Sequence, residues 1–168
     1  PLDLYNIFEN NKLILLLFIE KGILVPDYSI MNLLFQKEDN KGFKYCHFLY
    51  TSIKPFIDEQ IQSRIEAIIK QNYGEIDENY IEKCHLGEND SYICSLIRQD
   101  LVEEFIVYIN RKNISLSHII RSSIFETNSY LLDNRPTLIE YAAFFGSIQI
   151  FQFLKLNNVP LTFSLWLY

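Results

Sequence analysis

The stretch TLIEYAAFFGSIQIFQFLKLNNV, residues 137–159, decides the fold. It reads as two helices joined at one corner: Thr137 to Phe145, then Gly146, then Ser147 to Leu156. Ile150, Phe151, Phe153 and Leu154 give the second helix an apolar stripe. Ala142 and Ala143 are small, which suits a place where two helices cross closely. Gly146 stands at the reversal, where positive φ is open to a residue without a Cβ. Asn158 stands where the second helix closes, and asparagine is the next most tolerant residue of the left-handed conformation.

Working outward, an internal copy is the next thing to seek. Residues 93–105, ICSLIRQDLVEEF, lie against residues 139–151, IEYAAFFGSIQIF. Each is a short helix, a two-residue corner and the start of a longer helix. The closes are also alike, with Asn113-Ile114-Ser115-Leu116 against Asn158-Val159-Pro160-Leu161. The shape repeats more plainly than the identities.

The later copy resembles the ankyrin repeat. Thr137, Ile139, Ala142, Ala143 and Gly146 fall at places of the pattern T-P-L-H-x-A-A, two variable residues, G-H. Ile150, Phe151, Phe153 and Leu154 match its hydrophobic second helix, and Asn158-Val159 stands at its glycine-alanine close. Leu138 replaces the usual proline and Glu140 the usual histidine. Residues 10–23 look like half a repeat, ending in Glu20-Lys21-Gly22-Ile23. The chain is similar to the N-terminal regions of large ankyrin families of parasitic protists, in which a helical domain of unknown function precedes the array. The resemblance implies an all-α solenoid of antiparallel helix pairs, with an irregular helical region over 1–88 and repeats over 89–168, the last truncated. It implies further repeats beyond Tyr168, because Leu165, Trp166, Leu167 and Tyr168 are no polar cap.

Upstream, the sequence predicts a short helix at Leu4 to Phe8 and a strong one at Lys12 to Lys21, capped by Gly22. Another starts at Pro26-Asp27. A polar loop is expected at Gln36 to Gly42, then a short helix within Phe43 to Ile53. Pro55 is expected to open a helix reaching Lys70, with Ile57, Ile61, Ile65, Ile68 and Ile69 on its inner side. A weaker acidic helix follows at Glu75 to Cys84, and a turn at Gly87 to Asp90. In the repeat region, helices are expected at Tyr92 to Arg98, Asp100 to Lys112, Leu116 to Ser122 and Phe125 to Leu132. Asp133-Asn134-Arg135-Pro136 is turn chemistry.

Composition narrows the function. With 168 residues and 49% hydrophobic content, the chain can bury a real core. Thirteen phenylalanines and eleven tyrosines against five glycines suit helices packed by bulky side chains. The net charge of −6 disfavours nucleic acid and anionic membranes, and Asn110-Arg111-Lys112 is too short a basic run to track phosphates. The longest apolar run, Leu13 to Ile19, is far below the roughly 20 residues of a membrane span. Cys46, Cys84 and Cys94 are an odd count without regular spacing, so a reducing, cytoplasmic setting is expected.

Candidate chemistry is thin. Cys46-His47 and Cys84-His85 hold metal-ligand types, but adjacent residues point apart and the usual ligand spacing is absent, so packing is the expected role. Cys94, Asp100 and His118 supply the types for a nucleophile and base without a motif. Glu103-Glu104 and Glu75-Asp77-Glu78 read as solvated helix faces. No cofactor and no metal is expected. The expected role is non-catalytic: binding a protein partner through a concave side built from a turn and the first helices. The candidate contact residues are Asp133, Asn134, Arg135, Pro136, Glu140, Phe144 and Phe145, the two phenylalanines being equally open to internal packing. The alternatives are a structural cap of a longer array with no partner of its own, and a Cys/His-dependent hydrolase.

Overall fold

A computed structural model describes residues 2–36, 41–161 and 165. Among the described residues the chain is all-α, with one isolated antiparallel bridge between Ile119 and Thr137. It divides into two compact units, Pro1–Glu88 with Ile124–Ser129, and Asn89–Ser123 with Tyr130–Tyr168.

The first unit contains α1 (Leu2–Phe8), α2 (Lys12–Glu20), α3 (Tyr28–Gln36), α4 (Lys41–Phe48) and α5 (Tyr50–Ile53). A 3-10 turn at Lys54–Phe56, α6 (Glu59–Tyr73) and α7 (Glu78–Leu86) complete it. Short polar side chains start several of these helices by accepting the first free backbone N–H groups. Asn11 accepts from Ile14 at 3.1 Å, Asp27 from Ile30 at 3.0 Å, Asp58 from Ile61 at 2.8 Å and Asp77 from Tyr80 at 2.9 Å. Leu15, Leu16, Ile30, Leu34, Phe48, Ile53, Ile65 and Ile69 form the core. Phe125 also lies in it, edge-on to Tyr80 with ring centroids 5.2 Å apart. The Lys12 ammonium donates to the Ile124 carbonyl and lies 4.5 Å from the Phe48 ring centroid. Thr127 donates to the Gly87 carbonyl through its amide at 2.9 Å and its hydroxyl at 2.8 Å.

Several sequence expectations are corrected in this region. Pro55 does not open the long helix: it sits in the 3-10 turn, and α6 begins after the Asp58 cap and runs on to Tyr73. α7 begins at Glu78, because Asp77 takes the capping role, and extends to Leu86. Of the expected loop, Gln36 ends α3 and Lys41-Gly42 begin α4, and residues 37–40 lie outside the described ones.

The second unit contains α8 (Tyr92–Arg98), α9 (Val102–Lys112), α10 (Ser129–Asn134, from Tyr130 onward), α11 (Leu138–Phe145) and α12 (Ile148–Leu156). α8 pairs with α9 and α11 with α12. The two hairpins also stack, α8 beside α11 and α9 beside α12. Cys94, Leu96, Ile97, Phe105, Leu138, Ile139, Ala142, Ile150 and Leu154 are buried between these helices.

The two hairpins turn and close the same way. At the corners, Asp100 has φ +53° and Gly146 φ +68°. Leu101 N donates to Leu96 O at 3.1 Å, and Ser147 N to Ala142 O at 2.8 Å. At the closes, Asn113 has φ +51° and Asn158 φ +58°. Ile114 N donates to Ile109 O at 2.9 Å, and Val159 N to Leu154 O at 3.2 Å, the six-to-one bond of a left-handed helix close. The end of α2 does likewise, with Gly22 at φ +67° and Ile23 N on Phe18 O at 2.9 Å.

The expected helix at Leu116 to Ser122 is absent. His118–Ile120 is extended, with Ile120 N on Pro136 O at 2.8 Å and Leu138 N on His118 O at 3.1 Å. The expected helix at Phe125 to Leu132 is also corrected, since Phe125 is buried in the first unit's core and α10 starts only at Ser129. α9 begins at Val102, because positive φ at Asp100 breaks the helix there. The segment Leu161 to Tyr168 lies outside the described residues except for Leu161 and Leu165.

Candidate partner-binding surface

The seven residues expected to meet a partner do not share one surface. Asp133, Asn134 and Arg135 are exposed. Asp133 and Asn134 belong to α10, so the turn is carried by Arg135, at φ +44°. Pro136 is buried, with its carbonyl accepting from Ile120. Glu140 is also buried, and its carboxylate accepts from the Thr137 amide at 2.7 Å and the Thr137 hydroxyl at 2.8 Å. That contact closes the start of α11 and leaves Glu140 little reach outward.

Phe144 and Phe145 are half-buried and lie within an aromatic chain. Tyr130 stacks on Phe144 with ring planes 8° apart, Phe144 meets Phe145 at 5.0 Å, and Phe145 meets Tyr141 at 4.6 Å. Arg98 from α8 ends this chain. Its guanidinium donates to the Tyr141 hydroxyl at 2.9 Å and to the Asn89 carbonyl at 2.9 Å, and lies 5.9 Å from the Phe145 ring centroid. Both phenylalanines therefore join α8, α10 and α11.

A second linkage crosses the hairpins lower down. Asp100, at the corner of the first hairpin, accepts from Gln149 N and Ile150 N at 3.0 Å each. It thereby caps α12 of the second hairpin. Ser147, the residue just before α12, instead donates its hydroxyl to the Ile97 carbonyl. These roles of Asp100 and Ser147 are long-range and leave no local signal.

The second unit also carries an open depression of about 380 Å³ over α8 and α9, lined by Tyr92, Glu103, Glu104, Val107, Tyr108 and Arg111. Tyr92 and Tyr108 meet edge to face at 5.0 Å and 73°. Glu103 and Glu104, expected only as a solvated face, line it. The spacing Glu104, Val107, Tyr108, Arg111, which puts one stripe on a helix, is the signal that was available.

The three cysteines and His47 are buried within their units, whereas His85 is exposed and His118 half-buried. Cys46, Cys84 and Cys94 are buried thiols. Burial pushes Cys46 and Cys84 up to about 12, so both stay protonated at neutral pH, whereas the nucleophile and metal ligand is the thiolate. Burial also lowers the pKa of His47, favouring the neutral ring. His85 is engaged elsewhere, with Nε2 2.9 Å from Glu20 Oε1. Among the described residues, no group of three or more His, Cys, Asp or Glu converges to hold a metal ion. No described helix is long and apolar enough to cross a membrane.

Comparison with protein-family models, with curated proteins and with solved structures gives no match.

Proposed function

We propose that this chain is a non-catalytic protein-interaction module of the ankyrin-repeat kind, which binds a protein partner through the exposed end of α10 at Asp133 and Asn134, the turn at Arg135 and the paired segment His118–Ile120. The observation that carries the reading is the recurrence of corner and close in two stacked hairpins: Asp100 with Gly146, and Asn113 with Asn158, all at positive φ. A stack of like hairpins buries its core between neighbours and leaves its loops free to vary, so recognition rests on surface complementarity over a fixed frame. Ile119, 55% exposed, and the exposed Asp133, Asn134 and Arg135 supply such a surface. The protonated state of the buried thiols at Cys46 and Cys84 further weighs against a cysteine-dependent hydrolase.

The test places a photo-crosslinking residue at position 119, 135 or 156 and looks for one defined partner. The expected result is crosslinking from 119 and 135 but not from 156 on α12, with affinity at least tenfold lower in Arg135→Glu and helix content unchanged. Capture from position 156 alone, or an affinity indifferent to positions 119 and 135, overturns the proposal.

A further inference from the structure

We propose that the depression over α8 and α9 receives an extended stretch of partner chain bearing a lysine or arginine and, three positions away, a carboxylate, with apolar side chains between them. This rests on the binding-module reading and adds the partner's chemistry at a stretch of chain other than Asp133–Arg135.

Three features fit that occupant. First, the charge is polarised along α9: Glu103 and Glu104 stand in its first turn and Arg111 in its last. At about 1.5 Å per residue, Glu104 and Arg111 are about 10 Å apart along the axis, too far to neutralise each other. An extended peptide in the polyproline II conformation advances about 3.1 Å per residue with three residues per turn, so side chains three positions apart leave one face about 9 Å apart, close to the separation of the two charges. Second, the middle of the stripe is apolar and open: Val107 is 65% exposed and Tyr92 56%. Third, the two tyrosines form a corner beside the carboxylates. Aromatic faces attract a lysine or arginine head and cover its methylenes, and the carboxylates complete the charge.

The chemistry disfavours other occupants. Two carboxylates at one end repel a phosphate backbone, and the chain as a whole carries −6. The depression is open along its length, whereas a small-molecule site encloses most of its ligand. Charge at both ends with an apolar centre suits a peptide segment, with the charges fixing its placement.

The probe is a blocked octapeptide with lysine-leucine-leucine-aspartate at its centre, titrated into the labelled full chain and followed by amide chemical shifts. Two controls accompany it: a neutral glutamine-leucine-leucine-asparagine peptide and one with the lysine and aspartate adjacent. The expected result is saturable shifts at Glu104, Val107, Tyr108 and Tyr92, with both controls at least fivefold weaker. Joint Glu103→Gln and Glu104→Gln substitution, on an exposed face that tolerates it, is expected to weaken the first peptide at least fivefold. Absence of shifts on α8 and α9, equal binding of the neutral peptide, or indifference to the double substitution overturns the inference. Crosslinking from position 135 that persists unchanged in the double variant, with the peptides silent, removes this inference and leaves the binding-module reading standing. Failure of crosslinking at 119 and 135 removes that reading itself.

Discussion

Replacement of Asp100 tests the link between the two hairpins at a single side chain. Asp100 holds positive φ at the first corner and accepts from the Gln149 and Ile150 amides at 3.0 Å each. Asp100→Ala removes both acceptors, and loss of an N-cap side chain costs about 1 kcal/mol. The lost carboxylate at the helix start removes about 0.5 kcal/mol more. Alanine at a left-handed position adds about 1 kcal/mol of strain. The sum is about 2.5 kcal/mol from these three terms. Asp100→Gly loses the cap and the charge but is free of the strain, so about 1.5 kcal/mol is expected. Asp100→Asn keeps an acceptor and tolerates the left-handed region, so less than about 1 kcal/mol is expected. The assay is hydrogen exchange at Gln149 and Ile150 together with urea unfolding followed by circular dichroism. Each 1.4 kcal/mol is about a tenfold change in the opening equilibrium. The order Asn, Gly, Ala in rising cost supports the reasoning. Unchanged exchange at Gln149 and Ile150 in the alanine variant, or equal costs for alanine and glycine, refutes it.

Other substitutions probe other contacts. Glu140→Ala should cost about 1 kcal/mol by opening the start of α11, while Glu140→Gln retains most of it; urea midpoints separate the two. Phe125→Ala should cost the first unit about 3–5 kcal/mol, read as faster exchange at Ile65 and Ile69. His47 is held neutral by burial, with its pKa below the ordinary 6.5. The unfolded chain therefore binds the extra proton, and the stability this group contributes above pH 6.5 is lost as pH falls toward the lowered folded value. The slope from this group is at most about 1.4 kcal/mol per pH unit, and His47→Gln should flatten stability below about pH 6.5. Cys46 and Cys84 should resist a thiol-specific disulfide reagent at pH 8 in the native state and react at once in denaturant; fast native reaction would contradict their burial.

The sequence was most legible where the signals are local. α8 falls where its apolar pattern puts it, and Gly146 and Asn158 take the positive φ that their residue types allow. Thr137 matches the repeat pattern and Glu140 departs from it, while their three-residue spacing is itself a helix-start signal. Asp58 carried a similar signal that Pro55 obscured. The errors over residues 116–128 have another origin. Ile120 pairs with Pro136, and Phe125 packs with Tyr80, partners far along the chain that periodicity cannot register. The same holds for Asp100, which reads locally as the start of α9 but caps α12. At the candidate surface, Asp133, Asn134 and Arg135 are exposed as a contact requires, with the first two at the end of α10. Glu140 and Pro136 are turned to structural contacts, and Phe144 and Phe145 to the aromatic chain.

Stacking of the α8–α9 hairpin on the α11–α12 hairpin is the central claim, because the binding reading depends on it. Methyl-to-methyl nuclear Overhauser contacts in solution test it most directly. The account predicts contacts between α8 and α11, from Leu96 and Ile97 to Leu138 and Ile139, and between α9 and α12, from Ile109 to Ile150 and Leu154. Contacts confined within each hairpin, with none between α8 and α11 or between α9 and α12, would contradict it.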